Sequence, residues 1–328
     1  MPIEISLLLP DFFFILLGLI IGSFLNVCIA RLPVDESVVL PNSRCPKCGK
    51  AIKPYDNIPV LSYLLLRGRC RYCRDSISWQ YPVVELLTAS VFFFNFHGLN
   101  FLDPTLFKAH LPERMALSVF FSALLVLCFI DLNERILPDV ITKPGIVLGL
   151  LFSAVNPVDS QSADNGRLQY LVKYLVWLGV DAQESVLLSV FDSVIGALAC
   201  AGFLRFVAWG YLRFRGIEGM GLGDVKLMAM IGAWLGLFLG FITIMLGSLL
   251  GSVVGLVLMG VGWMLRLLWK TVRGDSGVLP EWATKGMMYE LPFGTFLAVV
   301  AILMGLWGVD VVRWYDDLGR PTVSISGR

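Results

Sequence analysis

Four cysteines and two aspartates carry the chemistry open to this sequence. Cys45-Pro46-Lys47-Cys48 and Cys70-Arg71-Tyr72-Cys73 form two Cys-x-x-Cys pairs separated by 21 residues. Each pair can set two thiolates on one tight turn, and two such turns complete a tetrahedral site of four sulfurs suited to zinc. Two disulfides are the structural alternative; a reducing compartment favours the metal. A closed set of four thiolates leaves no open coordination position, so Cys45, Cys48, Cys70 and Cys73 read as ligands of a structural zinc that staples a fold. Asp131 ends one apolar run, and Asp224 opens another within Glu218-Gly219-Met220-Gly221-Leu222-Gly223-Asp224-Val225-Lys226. Charge at the edge of a membrane is costly, so such carboxylates point to function. Two carboxylates sharing a proton can hydrolyse a peptide bond: one, ionised, takes a proton from water while the other polarises the carbonyl.

The competing reading is that each aspartate caps a helix. Asp is a favoured N-cap, and for Asp224 the apolar run begins directly after it; for Asp131, which follows a run, capping is the weaker account. Gly219, Gly221 and Gly223 favour a site, because they permit close backbone approach that a plain cap does not require. Asp139, after Pro138, is a third candidate that reads more simply as a cap. Glu85 is either a carboxylate on a substrate path or one half of an interfacial pair with an arginine. His97 and His110 have no metal-ligand pattern around them. Cys28, Cys128 and Cys200 stand alone in apolar runs and read as packing residues.

These residues must be positioned by membrane helices. The chain has 328 residues, 57% hydrophobic and 16% charged, with a net charge of +1. A composition this poor in charge marks a polytopic membrane protein and gives no support to nucleic acid as a partner. The first run lacks a basic n-region and a good cleavage site, so it reads as a span and not a signal peptide. At roughly 17–25 apolar residues per helix, candidate spans fall at 12–30, 82–97, 115–130, 140–155, 186–209, 225–240, 241–265 and 291–310. The expected fold is therefore all-α, with about eight transmembrane helices and a small zinc-binding domain inserted after the first. The organisation follows as a first helix at 1–30, a four-cysteine domain at 31–81 and a membrane domain at 82–328.

Basic residues set the orientation. With the N-terminus outside, the inward loops hold nine Lys and Arg at 31–81, Arg135 at 131–139, three at 210–226 and four at 266–290; the outward loops 98–114 and 156–185 hold two each. The cysteine domain, Asp131 and Asp224 then all face the cytoplasm. Arg67, Arg69, Arg71 and Arg74 form a basic cluster that either lies near anionic lipid or docks a substrate. Loop 156–185 and the tail from Val311 carry no functional signal.

In these motifs the chain resembles the type IV prepilin peptidases, bifunctional leader peptidases and N-methyltransferases. The resemblance rests on Gly22-Ser23-Phe24-Leu25-Asn26-Val27, Arg31-Leu32-Pro33, Cys45 to Cys48, Asp56-Asn57-Ile58-Pro59, Arg67 to Cys73, Tyr81-Pro82-Val83-Val84-Glu85, Asp131, Leu137-Pro138-Asp139, Gly221 to Lys226 and Pro292-Phe293-Gly294. It implies a Gly-x-Gly-Asp aspartic protease of the bacterial inner membrane with Asp131 and Asp224 catalytic. It further implies that the enzyme cuts basic leaders from prepilins or type II secretion pseudopilins after a glycine, then methylates the new N-terminus from S-adenosylmethionine. A basic leader would be repelled by the arginine cluster, which favours lipid contact there. No glycine-rich strand-to-helix fingerprint marks a methyl-donor pocket; the resemblance places that activity near residues 45–85. The reading from another class is a cation-coupled transporter with Asp131 and Asp224 as ion sites, which leaves the cysteine domain unexplained. A structural assembly component would leave the aspartates unexplained too.

Overall fold

The computed structural model describes residues 3–97, 104–156, 185–216, 221–273 and 291–319. Glu218, Gly219, Met220, most of loop 156–185, and the tail beyond 319 lie outside the described residues. Among the described residues the chain is helical, with no strand and only two isolated bridges. Its helices are α1 (Ile3–Arg31), α2 (Leu61–Leu65), α3 (Gln80–Phe96), α4 (Pro104–Glu134), α5 (Asp139–Val155), α6 (Ser185–Arg215), α7 (Leu222–Arg273) and α8 (Phe293–Gly319).

Five of these, α1, α4, α6, α7 and α8, are long and apolar enough to cross a membrane. α3 and α5, at 17 residues each, sit at the lower end of the roughly 17–25 residues of a span. Among the described residues this count of five does not confirm the eight spans expected from hydropathy. α7 counts once among the five, although its two limbs, described below, take up two of the runs that hydropathy separates.

α4 is the hub of the bundle. Two thirds of its apolar window is buried, the largest share among the five, and Phe120, Phe121, Leu124, Leu127 and Ile130 are closed off almost completely. A helix surrounded by others carries its C-terminal end into the interior as well, and Asp131 lies there with 5% exposure. α1 packs on α3 through Gly18 and Gly22, where a Cβ would fall 2.6 Å from Ala89 Cα and 2.7 Å from Glu85 Cα. This is the small-residue spacing that lets membrane helices approach closely. Cys28, Cys128 and Cys200 are buried free thiols, as packing residues should be.

α7 is broken at Gly236, whose φ of 76° and ψ of −178° are open only to glycine. The chain doubles back there: a Cβ on Gly240 would lie 3.6 Å from Gly232 Cα, whereas eight residues of straight helix span about 12 Å. The turn expected near 240 therefore sits at Gly236. Breaking a helix inside a membrane exposes backbone groups that lipid cannot satisfy. Buried Asp192 of α6 meets one of them, accepting the Leu237 N–H at 3.1 Å. The first limb of α7 runs beside α5, with Trp234 Nε1 donating to Gly145 O at 2.8 Å. The second limb returns along α8, where Gly247 faces Leu297 and Gly255 faces Leu291. The starts of α5, α7 and α8 and the end of α4 thus gather at one end of the bundle.

Candidate active site and metal knuckles

The two cysteine pairs fold as copies of one turn. Cys45 N–H donates to Lys50 O and Gly49 N–H to Cys45 O, at 3.0 and 2.9 Å; Cys70 N–H donates to Asp75 O and Arg74 N–H to Cys70 O, at 2.8 and 3.0 Å. The residue after the second cysteine is left-handed in both, with φ of 69° at Gly49 and 62° at Arg74. Bridges Arg44 to Ala51 and Arg69 to Ser76 close the two turns at matching positions.

All four cysteines are free thiols, in keeping with the metal reading over the disulfide one, and their sulfurs lie within 4.8 Å of one another. Cys45 Sγ and Cys73 Sγ are 3.8 Å apart, which matches the edge of about 3.8 Å of a tetrahedron with metal–sulfur bonds near 2.3 Å. The backbone N–H groups of Cys73 and then Tyr72 point at the Cys70 sulfur and bring its pKa down to about 6. That favours the thiolate a metal requires. The donor set therefore fits a closed four-sulfur metal site.

The knuckle region docks on α3. Val60 N–H donates to Glu85 Oε2 at 2.7 Å, so buried Glu85 is held by backbone and not by an arginine, one of the two readings offered for it. Within the basic cluster, Arg71 clasps Asp56 with Nε 2.8 Å from Oδ2 and Nη2 2.5 Å from Oδ1. The Arg71 guanidinium holds the Asp56 carboxyl below the usual carboxylate range. At least this arginine is spent on the domain's own fold. Between the knuckles and the start of α3 lies a cavity of about 360 Å³ lined by Ile58, Tyr63, Tyr72, Ile77, Tyr81 and Glu85, among others. His97, a surface residue, pairs with Asp11 at 3.0 Å and ties α3 to α1.

The aspartates come together at the start of α8. Asp131 is in the last turn of α4, and Asp224 is the third residue of α7. A Cβ on Gly294 would lie 3.0 Å from Asp131 Oδ2 and 3.1 Å from Asp224 Oδ1. The two oxygens are therefore separated by no more than the sum of those distances, about 6.1 Å. Asp224 stands inside the helix and not at the N-cap position, so the capping reading does not describe it. Thr295 N–H donates to Asp131 Oδ2 at 2.6 Å, and Thr295 Oγ1 lies 3.0 Å from the same oxygen and 3.2 Å from Cys128 O. Leu137 packs over Gly223 and Gly294.

Lys226, two residues beyond Asp224, reaches away from it. Its Nζ meets Asp139 Oδ1 at 2.6 Å, and Lys143 Nζ meets Asp139 Oδ2 at 2.7 Å. Asp139 thereby ties the first turn of α5 to the first turn of α7. Thr295 does not stand out in the sequence, and Gly294 does so only within Pro292-Phe293-Gly294. The available signal was a glycine and a hydroxyl residue at the mouth of an apolar run, the usual mark of a helix start.

Residues 16–99 match the bacterial peptidase A24 N-terminal domain, and residues 118–256 match the type IV leader peptidase family. The chain is similar to a prepilin leader peptidase/N-methyltransferase of Aeromonas hydrophila, 33% identical over 326 residues that cover 92% of this chain and 91% of that one. It is 32% identical to the protein of that name from Pseudomonas aeruginosa, again over 92% of this chain and 91% of the relative. The counterpart from Myxococcus xanthus is 38% identical over 225 residues, 68% of this chain and 55% of its own length. No solved structure matches the chain.

Proposed function

The chain belongs to the type IV leader peptidase family, and from that premise we propose that it removes the basic leader from prepilins or type II secretion pseudopilins and methylates the new N-terminus. The observation that carries the peptidase reading is the shared position at Gly294, bordered by a carboxylate oxygen of Asp131 and one of Asp224. At this range two carboxylates do not both ionise easily, so the pair shares one proton. The ionised member takes a proton from a water as that water attacks the scissile carbonyl, and the protonated member donates a hydrogen bond to the carbonyl oxygen. Collapse of the tetrahedral intermediate breaks the C–N bond as a proton passes to the leaving amine.

The excess of Lys and Arg in one set of loops supports a cytoplasmic site with the N-terminus outside, in the bacterial inner membrane. In that frame the substrate's apolar helix lies in the bilayer, and the junction with its leader reaches the dyad. Zinc held by Cys45, Cys48, Cys70 and Cys73 supplies cross-linking, not catalysis. S-adenosylmethionine supplies an electrophilic methyl group. Its reading near residues 45–85 is supported by the cavity of about 360 Å³, whose tyrosines offer faces for a purine and a cation. The cut amine must lose a proton before it can accept the methyl.

The test is prepilin cleavage in proteoliposomes. Asp131→Asn and Asp224→Asn each lower turnover by about a thousandfold or more, whereas full cleavage by both variants defeats the dyad. Methylation of already cleaved substrate by those variants, with direct binding of labelled S-adenosylmethionine, reports whether the two activities occupy separate sites.

A further inference from the structure

We propose that Thr295, in the first turn of α8, is a positioning residue of the carboxylate pair, fixing the Asp131 side chain while Gly294 keeps the space between Asp131 and Asp224 clear. The inference rests on the peptidase reading above.

The first turn of a helix has N–H groups with no acceptor inside the helix. α8 begins at Phe293, so the Thr295 N–H is one of them, and Asp131 Oδ2 takes it at 2.6 Å from 164 residues away in sequence. A carboxylate held by one backbone donor can still swing about its Cα–Cβ bond. The Thr295 hydroxyl adds a second contact to the same oxygen at 3.0 Å, and its neighbour Cys128 O at 3.2 Å belongs to the turn of α4 just before Asp131. The hydroxyl has one proton and two lone pairs. When Asp131 is ionised, the hydroxyl donates to Oδ2; when the shared proton sits on Oδ1, Oδ2 is the carbonyl oxygen and still accepts from both Thr295 donors, which leaves that proton available to the substrate carbonyl. Asp131 is thus held in one orientation through both protonation states that a shared-proton mechanism visits.

Gly294 completes the arrangement. Any side chain there would start 3.0 and 3.1 Å from the two carboxylate oxygens, inside the space where water and carbonyl must meet. Leu137 Cδ1 lies 3.1 Å from the same point. The start of α8 is therefore a third arm of the centre, beside α4 and α7.

The test uses full-length enzyme in detergent or proteoliposomes, with steady-state cleavage of a prepilin and thermal melting measured together. Thr295→Ser keeps both donors and stays within about twofold of the parent. Thr295→Val keeps the shape and loses the hydroxyl, and its kcat falls by about tenfold with KM and melting temperature unchanged. Thr295→Pro, tolerated in a first helical turn, removes the N–H as well and costs about a hundredfold. The proposal is overturned if Thr295→Val turns over like the parent, or if Thr295→Ser is as slow as Thr295→Val. Asp131→Asn and Asp224→Asn run alongside: if they cleave normally, the dyad itself fails, and if they are inactive while Thr295→Val and Thr295→Pro cleave normally, only the positioning role fails.

Discussion

The metal knuckles and the aspartate pair are built on opposite principles. The four sulfurs come from 29 consecutive residues, and each half of the site is one tight turn closed by its own backbone hydrogen bonds. The two carboxylates and Thr295 come from α4, α7 and α8, with Asp131 and its backbone donor 164 positions apart in sequence. The four sulfurs could hold a metal, which would cross-link two short turns in a region with few buried side chains of its own. The aspartates need no ligand, because the packed bundle around α4 holds them. One site depends on local geometry and a cross-link, the other on long-range packing, so perturbations should separate them.

The largest effect is expected at the assembled site. Gly294→Leu places a side chain between the carboxylates and lowers cleavage by at least about a hundredfold, while zinc content stays at the parental value. A variant that cleaves normally would show that the space at Gly294 is not where the reaction occurs. Next comes the local site. Cys48→Ser, or chelation of the parent, removes bound zinc measured by atomic absorption and speeds proteolysis within 45–78 by about tenfold or more. Prepilin cleavage changes by less than about threefold, because none of Asp131, Asp224, Gly294 or Thr295 touches the knuckles. Equal loss of cleavage would mean that the two regions are coupled through the contact between Val60 and Glu85.

A smaller effect is expected where one residue ties two helix starts. Lys226→Met releases the first turn of α7 from Asp139 and lowers cleavage by about three- to tenfold. Lys143, and after it Lys226, holds the Asp139 carboxyl below the usual carboxylate range. A depressed carboxylate keeps its pairing above the unfolded value of about 3.9 and loses it only as pH falls through the lower folded value. The deficit of Lys226→Met is therefore constant from about pH 5 to 8, and a deficit that vanishes within that window would break the assignment. The smallest effect is at Arg71. Its guanidinium is half exposed, so Arg71→Gln speeds proteolysis of the knuckle region by no more than about threefold.

Legibility in the sequence followed this same division. Cys45, Cys48, Cys70 and Cys73 were readable as one site because metal-ligand spacing is written along the chain, and the observed sulfurs gather as that spacing requires. Asp131 and Asp224 were readable as candidates because charge at the edge of an apolar run is rare. Their meeting was not readable, since each borders a helix end that could have faced anywhere around the bundle. The partners of Glu85 and Arg71 were not readable for a related reason. The sequence offered Glu85 a substrate path or an arginine, and the arginine cluster lipid or substrate; the structure adds a bond from the Val60 backbone to Glu85 and a pair between Arg71 and Asp56.

By itself the sequence determined that the protein is helical and membrane-spanning, that two Cys-x-x-Cys turns form a four-thiol cluster, and that carboxylates stand at two helix ends. These are consequences of local periodicity and spacing, which act between residues near in the chain. Tertiary structure decided that α7 doubles back at Gly236 under Asp192, that Asp139 clamps Lys226, and that Asp131 and Asp224 share a border at Gly294 with Thr295 behind them. Each of these depends on which helix faces which. That choice is set by close packing around α4 and by the need to satisfy buried polar groups where no water reaches.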